Sequence, residues 1–119
     1  MSALPIIDPA AVESLRTLGG NDNGAFLREI IGIFLADTPE RIAVQKQALA
    51  AGDRDGVLRA AHSIKGSAGS LGVSALHSAA RRLEADAPSA TAAELAAGAS
   101  VLSAEFERAR VEFQRILTV

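Results

Sequence analysis

The 119-residue chain is predicted to be all-α: an antiparallel up-and-down four-helix bundle with a short additional N-terminal helix. Composition is the first reason. Hydrophobic residues make up 49% of the chain, but alanine supplies much of that and only four residues are aromatic, all Phe. Such a mixture suits close-packed helices better than a sheet of β-branched and aromatic residues. Periodicity is the second: apolar residues recur at helical spacing in runs bounded by capping residues, Gly and Pro. The connections between runs are short, so successive helices must lie side by side and antiparallel. The length fits one domain, residues 1–119, with a single core.

Each element has its own local signal. Asp8 followed by Pro9 reads as an N-cap with proline at the first helical position, and Gly19-Gly20 as the stop. The first helix is therefore short, with Val12, Leu15 and Leu18 as its inner face. A second helix is expected to start near Asn21 or Asp22 and to carry Phe26, Leu27, Ile30, Ile31, Phe34 and Leu35, then Ile42 through Leu49. Pro39 lies within it, and because a prolyl nitrogen cannot bond the carbonyl of Leu35, a kink or short break is expected there. Gly52 ends this helix and Asp53 caps the third, whose apolar stripe is Val57, Leu58, Ala61, Ile64, Ala68 and Leu71. A turn at Gly72-Val73-Ser74 leads to a fourth helix with Leu76, Ala80, Leu83 and Ala87 on one face, closed by Pro88. The last helix opens on Thr91-Ala92-Ala93-Glu94, a capping box of the Thr-x-x-Glu type. Its seam runs through Leu95, Leu102, Phe106, Ala109, Phe113 and Ile116.

Charge and composition exclude several function classes. A net charge of −2 and a pI near 5.6 give no electrostatic basis for binding nucleic acid or an anionic membrane. The chain has no cysteine, which excludes disulfides and thiolate metal sites. No apolar run approaches the ~20 residues of a membrane span, and the N-terminus lacks the basic-then-apolar pattern of a leader. The expected location is the cytoplasm. Met1 together with the complete set of helices favours a free-standing protein.

The stretch Ala60 to Gly72 does not read as ordinary helix surface. On an ideal helix His62 lies about 140° from the centre of the apolar stripe, so the imidazole should point outward. Gly66 and Gly69 fall within about 40° of it and Lys65 about 60° away. One face thus presents an imidazole, a cation and bare backbone. Glycine inside a helix costs roughly 0.5 to 1 kcal/mol relative to alanine, and two of them within one turn of each other imply that something needs the clearance. Ser67 adds a further small side chain.

Folding this helix back on its successor about Val73 sets positions summing to about 146 at the same height. His62 then faces Glu84, and Lys65 faces Arg81. A carboxylate beside His62 can accept a hydrogen bond from one ring N–H, fix the tautomer and leave the other nitrogen as a nucleophile. Imidazole can attack a phosphoryl group to form a phosphoramidate, and Lys65 would counter the arriving charge. Phosphoryl transfer depends mainly on in-line positioning and charge neutralisation. A partner's active site can close over His62 only if its neighbours are small, which Gly66, Ser67 and Gly69 are.

The run His62-Ser63-Ile64-Lys65-Gly66-Ser67-Ala68-Gly69-Ser70-Leu71-Gly72 resembles the signature of histidine phosphotransfer (HPt) domains, the four-helix modules of two-component phosphorelays. The resemblance extends to the Phe34-Leu35 helix, the break between Leu49 and Asp53, and the Leu83-Glu84 pair. It implies that His62 is phosphorylated, that Lys65 stabilises the phosphate and that Gly66 gives access. At the position of Glu84 many relay modules have glutamine, whereas phosphotransfer domains of chemotaxis kinases have glutamate. The resemblance also implies the partners: a response-regulator receiver domain whose aspartate gives or takes the phosphoryl group, or a sensor histidine kinase. No cofactor is expected on this chain; the receiver brings the Mg²⁺. No Gly-Lys-Ser/Thr loop or acidic metal pair supplies a nucleotide site, so a phosphoryl carrier without kinase activity of its own is expected.

The competing readings are plainer. The same patch can dock a partner without chemistry, as an interaction bundle. Glu84 can instead pair with Arg81 one turn back on its own helix. His77, with no Lys-Gly after it, reads as a solvated helix residue. The two histidines have no carboxylate or thiol companions at ligand spacing, which argues against a metal site.

Overall fold

The computed structural model describes residues 4–118; Met1 lies outside them. The described chain forms five helices: α1 (Pro9–Gly19), α2 (Ala25–Ala50), α3 (Arg54–Leu71), α4 (Ser74–Asp86) and α5 (Ala92–Leu117). Packing runs α2 on α3, α3 on α4, α4 on α5 and α5 back on α2, so four helices close around a common core. The short α1 lies against α2 and α3.

The local signals act where the sequence places them. The Asp8 carboxylate accepts from the amide of Ala10 and Asp53 from that of Gly56, each satisfying a donor that the first helical turn leaves open. At α5 both halves of the capping box form: Thr91 Oγ1 accepts from Glu94 N at 3.1 Å, and Glu94 Oε1 from Thr91 N at 2.8 Å. The α3–α4 turn is a Schellman ending, with Val73 N donating to Ala68 O at 2.8 Å and Gly72 N to Gly69 O at 3.2 Å. It needs a left-handed residue, and Gly72 supplies one at φ 69°. The Gly72 carbonyl in turn accepts from Asp8 N at 2.7 Å, which fastens the N-terminal segment to this turn.

The interior is a continuous apolar cluster from all five helices. At its α2–α5 centre Phe34 meets Phe106 and Phe113 with ring centroids 5.7 Å apart in each pair, tilted at 53° and edge-on at 70°. Offset arrangements of this kind match the ring quadrupoles. Every stripe residue assigned to α5 is buried except the half-buried Ile116, and so are Leu76, Ala80, Leu83 and Ala87.

Three expectations need correction. Helix α2 begins at Ala25 rather than at Asn21 or Asp22, because Asp22 folds its carboxylate onto the amides of Gly24 and Phe26 and acts as a cap outside the helix. Those amide donors hold the Asp22 carboxyl below its ordinary range, the Phe26 amide most strongly. Of the kink or short break expected at Pro39, the break does not occur: α2 is unbroken from Ala25 to Ala50. Phe34 and Thr38 before the proline, and Ile42 and Gln45 after it, are all buried in one core, so packing on both sides outweighs one missing backbone bond. Leu18 is not on the inner face but 74% exposed. It lies about 120° around the helix from Val12, and α1 ends one residue later at Gly19, leaving nothing for it to pack against.

Candidate functional site

His62 sits in the middle of α3 with Ala61 and Ile64 buried on the opposite side of the helix. Its side chain is 68% exposed. The ring is not free to spin, however, because Nδ1 lies 2.6 Å from Oε2 of Glu84 on α4. The second carboxylate oxygen of Glu84 accepts from Lys65 Nζ at 2.5 Å. One carboxylate therefore bridges the two residues that α3 projects toward α4, and among the described residues its ion-pair partners are His62 and Lys65, not Arg81.

The electrostatics follow from that bridge. The hydrogen bond from Lys65 holds the Glu84 carboxyl below its ordinary range against the opposing effect of partial burial, and the bond with His62 adds to the lowering. Glu84 is thus ionised, and an ionised carboxylate can only accept. Nδ1 must then donate its proton to that carboxylate, and in the neutral imidazole this tautomer places the lone pair on Nε2. That is the chemistry of an oriented nitrogen nucleophile.

Gly66, one turn after His62 on α3, faces open space. A Cβ built on it would have nothing within 4 Å. The other two small residues behave differently. Gly69, read from sequence as clearance for a partner, is where α4 comes close: a Cβ there would stand 3.2 Å from Cδ2 of His77. His77 is consequently half-buried, its ring lying over Gly69, rather than a solvated helix residue. Ser67 accepts from Arg41 Nη1 at 3.0 Å and ties α3 to α2, off the His62 face. Lys65 was expected opposite Arg81; its ammonium instead reaches along α4 to Glu84, and its side chain is 27% exposed. Among the described residues no three His, Cys, Asp or Glu side chains gather as a metal site would require.

The family model of the Hpt domain matches residues 29–112. The chain belongs to the Hpt domain family. The matched span holds most of α2, all of α3 and α4, and most of α5, and with them His62, Lys65 and Glu84; α1 lies outside it. Among solved structures, the crystal structure of histidine-containing phosphotransfer protein B (HptB) from Pseudomonas aeruginosa PAO1 is similar at 26% identity and a TM-score of 0.83, covering 96% of this chain and 95% of that one. No curated protein matches. Histidine phosphotransfer in a phosphorelay is therefore the activity class of this Hpt domain. No helix among the described residues is long and apolar enough to cross a membrane.

Two residues of structural weight were not singled out by sequence reasoning. Arg41 holds Ser67, and Arg54 donates through Nη1 to the carbonyls of Ala87 and Ala90, pinning the α4–α5 connection of the Hpt bundle to the start of α3. Neither belongs to a local motif, so no spacing rule marks it. The available signal for Arg54 was a cation next to a helix cap, facing a loop that had to be held.

Proposed function

We propose that His62 is the phosphoryl carrier and that Nε2 is the atom that bears the group. The reading is supported above all by one observation: Nδ1 is engaged by Glu84 at 2.6 Å while the rest of the ring stands exposed beside the open backbone of Gly66. In the forward step the Nε2 lone pair attacks the phosphorus of an aspartyl phosphate on a receiver domain, or of a donor group on a kinase. With the receiver as donor the P–O bond to the aspartate breaks and its electron pair leaves as the carboxylate; with a kinase the bond from phosphorus to its donor atom breaks and the electron pair leaves on that atom. The product is a phosphoramidate on an imidazolium whose Nδ1 proton remains held by Glu84. Transfer onward to another receiver aspartate is the reverse of these bond changes.

Glu84 is a positioning residue in this scheme, and Lys65 makes it tolerable. A bare carboxylate next to His62 would repel a phosphoryl group. With the Lys65 ammonium 2.5 Å away the pair is neutral overall, so the group meets an oriented ring without a net negative neighbour. Mg²⁺ belongs to the receiver in this proposal, as does the phosphoacceptor aspartate.

The test is incubation with a phosphorylated receiver domain and analysis of the label. The expected label on this chain is acid-labile and alkali-stable, and absent from His62→Gln. Label persisting in that variant assigns the site elsewhere. Receiver binding without any label transfer favours the non-catalytic interaction module instead.

A further inference from the structure

The α3–α4 surface contains a cation that the His62–Glu84–Lys65 bridge does not use. Two crossings measure the register of these helices: His62 against Glu84 at 2.6 Å, and Gly69 against the ring of His77. Both pairs sum to 146, so the hairpin stays in step over two turns. At the height between them lie Lys65 and Gly66 on α3 and Arg81 on α4. Nothing stands over Gly66 within 4 Å of where a side chain would begin. His77, Arg81 and Glu84 follow one another at spacings of four and three, which keeps them on one stripe of α4. Arg81 is exposed, and among the described residues it has no hydrogen-bond or ion-pair partner. It also lines, with Gly69 and His77, a cleft of about 340 Å³ that runs away from His62 along the α3–α4 groove.

Charge accounting leaves this arginine uncommitted beside the site. Lys65 and Glu84 cancel, so the site offers an incoming phosphoryl group no net positive charge of its own. Its donor in the proposed reaction is an aspartyl phosphate, itself an anion. We propose that Arg81 is the docking cation of this surface, meeting the anionic aspartyl-phosphate site of a receiver as the receiver closes over Gly66. The inference rests on the phosphotransfer reading of His62. It assigns to Arg81 the encounter and alignment of the partner, and leaves the bond-making step to His62.

Arg82 provides the control. It is the next residue on α4, about 100° around the helix, exposed, and lines a separate cleft with Glu105 and Arg108 on the α5 side. Arg81→Glu and Arg82→Glu change the net charge of the chain equally. Transfer is measured from a panel of receiver domains charged with acetyl phosphate and Mg²⁺, at several salt concentrations. For a receiver that the wild-type chain discharges, Arg81→Glu is expected to lower kcat/KM by about tenfold or more, through KM rather than the limiting rate, and to flatten the salt dependence. Arg82→Glu should stay within about twofold of wild type, and Arg81→Lys should recover most of the loss. Equal effects of the two reversals, or a loss in the limiting rate alone, overturn the assignment of Arg81. If the wild-type chain takes label from no receiver in the panel, it is the phosphotransfer reading itself that fails. Arg81→Ala, which adds no new charge, serves if the reversal disturbs folding, and a wild-type kcat/KM and salt slope in that variant likewise overturns the proposal.

Discussion

Replacing Gly66 separates stability from function in opposite directions. The residue lies well inside α3, its backbone is not in the left-handed region, and a Cβ would meet nothing within 4 Å. Alanine there should therefore recover the full helix-propensity difference, about 0.5 to 1 kcal/mol, with no packing cost. For a chain of this length that corresponds to a rise in Tm of about 2 to 4 °C. Leucine has nearly the same propensity, so Gly66→Leu should be folded and at least as stable as wild type. Its side chain, however, occupies the approach to His62. In-line transfer is sensitive to about 1 Å of misplacement, at a cost of about a hundredfold, so its transfer rate with a receiver should fall by at least about tenfold. Urea denaturation reads the first quantity and rapid-quench transfer of labelled phosphate the second. A Gly66→Leu protein that is stable and transfers at the wild-type rate refutes the idea that this glycine exists for access, and a destabilised Gly66→Ala protein refutes the open geometry itself.

Gly69→Ala should show no such gain, because the new methyl group presses on the His77 ring at 3.2 Å; in a His77→Ala background the gain of about 0.5 to 1 kcal/mol should return, and additivity of the two changes by urea denaturation would contradict the contact. Glu84→Gln removes a carboxyl whose folded-state pKa lies below its ordinary value of 4.5. The stability that this carboxylate contributes is fully present above 4.5 and is lost as pH falls through the lowered folded value. The stability difference between wild type and Glu84→Gln should accordingly shrink on acidification through that window; a difference that grows there contradicts the Lys65 and His62 bonds as its source. Thr38→Val keeps the shape of a fully buried side chain while deleting a hydroxyl that has no hydrogen-bond partner among the described residues. It is expected to stabilise the protein by about 1 kcal/mol, and a loss of stability in thermal denaturation would show that the hydroxyl is bonded.

Much of this molecule was legible in the chain because the deciding physics is local. Caps at Asp8, Asp53 and Thr91, stops at Gly20 and Gly72, and the apolar stripes of α3, α4 and α5 depend on neighbours within a turn or two, and each acts as read. Even the His62–Glu84 contact follows from local quantities, since a tight turn at Val73 and a constant helical rise fix which residues of a hairpin share a height. The tertiary structure decided what depends on side-chain reach and on competition between distant groups. It brought the Lys65 ammonium to Glu84 rather than toward Arg81, seated His77 on Gly69, and drew Ser67 to Arg41. It also carried α2 through Pro39 and stranded Leu18 in solvent. A long flexible side chain can satisfy its charge at any of several residues of similar spacing, and only the packed neighbours determine which. Periodicity therefore placed His62 on an exposed face of α3, whereas the charge environment of its ring came from the way the helices pack.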